Sequence, residues 1–111
     1  MLRAVMMRRT PLKAKPKRKT AEARRYHEYI AGLPCLVSGV YGVHVHHVTA
    51  SIHGGRISRN DFLVVPLAPQ YHQIQHGPRT SVEALSHRGF YEVYGIDLEQ
   101  EATKLAVEWL L

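Results

Sequence analysis

Two short stretches alternate or cluster apolar positions at strand length. "VHVHHV" (43–48) sets valines against histidines with a period of two, and "FLVVPL" (62–67) is an almost continuous apolar, β-branched run. Pro66 ends that second strand or confines it to a sheet edge, because it offers no ladder donor. The polar, glycine-containing segment between them, "TASIHGGRISRND", is long for a plain hairpin loop. Elsewhere the apolar period is helical. "TAEARRYHEYIAG" (20–32) predicts a short helix capped by Thr20, with Glu22 in its first turn and Gly32 at its end. "PQYHQIQH" (69–76) predicts a helix opened by Pro69 and stopped by Gly77-Pro78. "SVEALSHRGFYEVYG" runs from a Ser81 cap to a Gly95 stop, with Gly89 as a point where it can split. "DLEQEATKLAVEWLL" has Asp97 and Gln100 as a capping box and a stripe of Leu98, Ala102, Leu105, Ala106, Trp109 and Leu110, which we assign to core packing. The order predicts an α+β fold, a two-stranded antiparallel hairpin packed by flanking helices that supply most of the core.

Charge divides the chain in two. Residues 1–25 hold ten Lys or Arg against one acid, Glu22, whereas residues 26–111 hold five basic and eight acidic residues; +9 and −3 give the overall +6. With Pro11, Pro16 and few large apolar groups, the first 19 residues are expected to form a disordered basic arm, followed by a single domain over 20–111. Lys13, Lys15, Lys17, Arg18 and Lys19 in that arm are candidate contacts to a polyanion, for which nucleic acid is favoured over a merely solubilising role. No run of about 18 apolar residues exists to span a membrane. The basic start lacks the apolar stretch of a secretory signal, and the lone Cys35 excludes an internal disulfide framework, so a cytoplasmic protein is the expectation.

The histidines change the picture most. Six of eight fall within residues 44–76. Strand alternation turns His44 and His46 to one face and His47 to the other. His72 and His76, four apart, would share one helix face and could hold one metal ion, with a third ligand supplied by His46 or His47. Strand, loop, strand and helix therefore predict a metal site split over a ββα unit.

With these segments in this order, the chain resembles the HNH (ββα-metal) endonucleases, and more closely the phage-type group that includes the recombination enhancement function (Ref) nuclease. The features that carry the likeness are the basic arm, "LPCLVSG" (33–39), "HH" (46–47), "VVPLAPQYHQIQH" (64–76) and "YGIDL" (94–98), spanning nearly the whole chain from about residue 10. The resemblance implies a metal-dependent DNA endonuclease or nickase in a bacterial or phage-infected cell, with DNA as partner and a recombinase–DNA filament as a further one. It implies His47 as general base and His46, His72 and His76 as ligands of one divalent ion. All-imidazole ligation suits Zn²⁺, Ni²⁺ or Mn²⁺, while HNH sites often work with Mg²⁺, so Mg²⁺, Mn²⁺ and Zn²⁺ stay open. The chemistry fits the residue types: a neutral imidazole accepts a proton near pH 7, and a metal stabilises charge on phosphate and leaving oxygen. Aiming His46 and His47 at one cleft would require twist or a bulge near the strand end.

The departures are equally informative. The structural zinc that such proteins often carry needs two cysteine pairs, but Cys35-Leu-Val-Ser38 keeps one ligand and Ala68-Pro-Gln-Tyr71 keeps none. Cys35 is then expected as a small buried residue, with Ala68 and Tyr71 filling the gap. The family's central Asn has no counterpart; Asn60 and Asp61 lie nearby, and Asp61 is preferred as the residue that orients the base. His44 is expected as a partly exposed strand residue, Arg56, Arg59 and His53 as loop residues able to approach phosphate, and His87 as helix surface; His27 has no evident partner. A cysteine–histidine hydrolase finds no orienting group or oxyanion hole. The alternative to the endonuclease is a non-catalytic nucleic-acid-binding module whose metal only holds the fold.

Overall fold

The computed structural model describes residues 19–48 and 60–111. Arm residues Lys13, Lys15, Lys17 and Arg18, and loop residues His53, Arg56 and Arg59, lie outside that range. Six elements follow one another: α1 (Ala21–Ala31), β1 (His44–His47), β2 (Val64–Leu67), α2 (Pro69–His72), α3 (Val82–Tyr94) and α4 (Leu98–Leu110). The fold is α+β with one two-stranded antiparallel sheet. No helix among the described residues is long and apolar enough to cross a membrane.

The helix ends follow their caps. Thr20 Oγ1 accepts from Ala23 N, Ser81 Oγ from Ala84 N, and Asp97 Oδ1 from Gln100 N. Each satisfies a donor that the first helical turn leaves without a partner. Gly95 closes α3 in the left-handed region at φ 71, a conformation that glycine takes without Cβ strain.

Register fixes the two faces of the hairpin. His44 opposes Leu67, Val45 opposes Pro66, His46 opposes Val65, and His47 opposes Val64. Alternation then turns His44, His46, Val65 and Leu67 one way, and Val45, His47 and Val64 the other. Each face has its own core. Val65 and Leu67 pack with Cys35, Ala68, Val82, Phe90, Leu98 and Ala102, whereas Val64 packs with Tyr26 and Ile30 of α1. Pro66 stands inside β2 rather than ending it. A two-stranded sheet has only edges, so its missing N–H breaks no ladder, and its carbonyl accepts from Leu36 N at 3.1 Å.

Three local expectations change. The helix beginning at Pro69 stops at His72, because Gln73 is extended (φ −120, ψ 145), so His72 and His76 do not share a helix face. The break in α3 falls at Ser86 (φ 70, ψ 169), three residues before Gly89. Along α4, Leu98 and Ala102 are buried, whereas Leu110 is 71% exposed and lies outside the core stripe.

Cys35 is 3% exposed and joins the larger core with Ala68, while Tyr71 packs against it. Burial raises the thiol pKa, but hydrogen bonds from the Ala68, Ser38 and Val37 backbones and the Ser38 side chain outweigh it and leave the pKa below its ordinary value.

Candidate functional site

The alternation of "VHVHHV" sends its histidines to opposite sides of the sheet, and a polar cluster forms on each. On the side shared with α2 and α3, His46 Nε2 lies 3.2 Å from His87 Nε2, and His44 Nδ1 lies 2.9 Å from His72 Nδ1. The His46 and His72 ring centroids are 5.0 Å apart, edge to face. His87 is therefore not plain helix surface. The non-helical φ/ψ at Ser86 interrupts α3 one residue before it, and its half-buried ring meets β1. A cavity of about 400 Å³ opens here, with His46, His72, Glu83 and His87 in its wall.

Three of these rings, His46, His72 and His87, resist protonation. Burial, followed by the neighbouring His72, His87 and His47, pushes His46 down to about 3. Burial and then His44 lower His72, against Glu83; burial lowers His87 against Glu99 and Asp97. Neutral imidazoles keep a lone pair for a metal. Two nitrogens bound to one tetrahedral ion at 2.0–2.1 Å sit about 3.3 Å apart, close to the separations within each pair. Each pair alone could share an ion, but among the described residues no three of these rings bring ligand atoms within 4.8 Å of one another, so the four do not form one preformed site.

His76 stands apart from His46. It is exposed, its ring centroid is 6.2 Å from His44, and its Nε2 lies 3.3 Å from Gln75 Nε2. The structure brings together His46 and His72 from the expected ligand set, and adds His44 and His87.

On the opposite side, His47 Nε2 lies 3.1 Å from Asp61 Oδ1. Asp61 reaches it because Asn60 turns the chain just before β2, its Oδ1 accepting from Phe62 N at 2.8 Å. Asn60 is the turn residue and Asp61 the partner of His47. A carboxylate only accepts, so His47 donates to Asp61 through Nε2.

His27 from α1 completes this side. It is 8% exposed, its ring lies 5.3 Å edge-on from His47, and its Nε2 is 2.7 Å from the Asp61 carbonyl. His27, His47 and Asp61 bring one ligand atom each within 4.8 Å of one another, a group that could hold a metal ion. The surrounding contacts set a condition on that use. Lys19 Nζ lies 3.0 Å from His27 Nδ1, and an ammonium can only donate. Nδ1 therefore accepts, Nε2 carries the proton donated to Asp61, and a cation could enter only by displacing Lys19.

His27 shows no partner in the sequence because the Asp61 carbonyl that its Nε2 meets lies 34 residues away in the chain. His87 was missed because the break at Ser86, not the helical period, aims it. No protein-family model matches the chain, and no curated protein matches it.

Proposed function

We propose that the chain is a metal-dependent endonuclease of the HNH kind, hydrolysing phosphodiester bonds of DNA. The observation that carries this is His47 held by Asp61 at the end of a strand whose preceding histidine faces the helix after β2. Asp61 orients the ring, and His47 would take the proton of an attacking water, a role worth typically 10²–10⁴-fold in rate. Asp61 is a positioning residue that also stabilises the imidazolium once it forms. In this reading His46 and His72, with His44 or His87, would hold a divalent ion, for which the rings must draw closer together than they stand. Such an ion would supply positive charge to the phosphate and to the departing oxygen. His46 and His47 are adjacent but face opposite ways, so a substrate phosphate has to approach over the end of β1.

One observation favours a second function. The imidazole cluster is half-buried and on the other face from His47, as suits an ion that only braces α2 and α3 against the sheet in a non-catalytic nucleic-acid-binding module. Cleavage of supercoiled plasmid by EDTA-treated protein, with Mg²⁺, Mn²⁺ or Zn²⁺ restored, decides between them. The endonuclease gives nicked or linear DNA only with metal, and His47→Ala loses most of that rate while retaining metal. Metal binding and DNA binding without cleavage under every condition, including a recombinase filament as substrate, overturns it in favour of the module.

A further inference from the structure

A cavity of about 420 Å³ lies between α1 and the His47 side of β1, with Lys19, Arg24, His27 and His47 in its wall. Its aliphatic part is Val45, and Glu28 is the carboxylate at its rim. Lys19 and Arg24 are exposed and linked to each other, Arg24 Nη1 donating to the Lys19 carbonyl at 3.2 Å while Lys19 Nζ donates to His27. Among the described residues neither cation is in an ion pair; the pairs are His47–Asp61, Arg88–Glu92 and Lys104–Glu101. Two side chains of permanent charge therefore spend their donors on a neutral carbonyl and a neutral ring, partners that an anion outbids because charge-assisted hydrogen bonds are roughly twice as strong.

The sequence adds a second, independent observation. Seven further Lys and Arg lie within residues 1–18, directly before Lys19 in the sequence.

We propose that this cavity is a phosphate subsite, taking one backbone phosphate of a bound nucleic-acid strand between Lys19 Nζ and the Arg24 guanidinium, with His27 holding Lys19 in place. The proposal rests on the endonuclease reading only for the identity of the strand, since the site itself asks for a phosphate. Lys19 Nζ has three donors and the Arg24 guanidinium five, so each can add a contact to a phosphate oxygen beside its present partner. Asp61 and Glu28 are the carboxylates that oppose an anion here; Asp61 already accepts from His47.

The test measures binding, not cleavage, on EDTA-treated protein. A fluorescein-labelled single-stranded oligonucleotide is titrated at several salt concentrations with wild type, Lys19→Gln, Arg24→Gln and, as the distant control of equal charge, Arg88→Gln. Each lost phosphate contact reduces the slope of log K against log salt by about 0.7. The expected result is that drop for Lys19→Gln and Arg24→Gln, with the wild-type slope for Arg88→Gln. In parallel, inorganic phosphate should shift the ring resonances of His27 and His47 in wild type and leave them unmoved in Arg24→Gln. Equal slopes for Arg24→Gln and Arg88→Gln, or phosphate shifts that persist in Arg24→Gln, overturn the subsite. A protein that cleaves normally yet shows equal slopes loses the subsite and keeps the endonuclease; one with the expected slopes and no cleavage loses the endonuclease and keeps the subsite.

Discussion

His46 supplies a quantitative test of how the imidazole cluster is built. Burial and the neighbouring rings hold it at about 3 in the folded chain, against an ordinary value of 6.5. The sign follows from proton uptake. Between these values the unfolded chain binds a proton at His46 and the folded chain does not, so acid favours unfolding. The stability is fully present above pH 6.5 and is lost as the pH falls toward 3. At 1.36 kcal/mol per pH unit, the loss from this one group amounts to about 2 kcal/mol at pH 5 and about 3 kcal/mol at pH 4. Urea unfolding of EDTA-treated protein at pH 7.5, 6 and 5 measures it, with His46→Gln as reference. His72 and His87 are lowered in the same direction and remain in both proteins, so the difference between the two curves isolates His46. Wild type should lose about 2 kcal/mol more than His46→Gln over that range. Parallel curves would show that His46 charges as readily in the folded state as outside it, and the dry, neutral cluster would be wrong.

Asp61→Asn should lower cleavage at every pH and shift the profile of kcat, because the amide can donate to His47 Nε2 and so favour the wrong tautomer; an unchanged profile would confine Asp61 to loop structure. Gly77→Ala should destabilise by about 1–3 kcal/mol in urea melts, since a Cβ there meets the Gln70 carbonyl and Thr80 Oγ1. Tyr26→Phe should stabilise by about 1–3 kcal/mol, as the buried Tyr26 hydroxyl finds no hydrogen-bond partner among the described residues; a loss of stability on this change would show that it has one. Ser86→Gly should raise the melting temperature, because φ 70 with ψ 169 is a conformation only glycine takes without a cost of about 1–3 kcal/mol.

What could be read from the chain was whatever depends on near neighbours. Thr20, Ser81, Asp97 and Gly95 mark helix ends through contacts within a few residues, and those four positions fall where the caps predict. The two strands and their partition of His44 and His46 from His47 follow from a period of two. Illegible were the features set by distant packing or by a single strained residue. "PQYHQIQH" has helical spacing throughout, yet Gln73 leaves the helix, and the helix-face argument for His76 fails with it. His27 meets Asp61 only because α1 folds across the hairpin. His87 needed the turn at Ser86, and nothing in "ALSHRG" announces a serine at positive φ.

The same strand alternation constrains any chemistry the molecule performs. Had His46 and His47 shared a face, one ring would have been forced to compete with the other for the same ion, and a base bound to metal is no base. Opposite faces give the two rings different surroundings. The His46 side packs against its own apolar core and against other imidazoles, which keeps its rings neutral and ready to ligate. The His47 side has a carboxylate against the ring and, across the cavity, two cations. Asp61 accepts from His47 there, and Lys19 and Arg24 line the cavity beside the ring. The interval between the two environments is a single peptide unit at the end of β1, about 3.8 Å from Cα to Cα. On the endonuclease reading proposed above, a phosphodiester would have to lie across that end to meet both side chains, since they leave the strand on opposite faces.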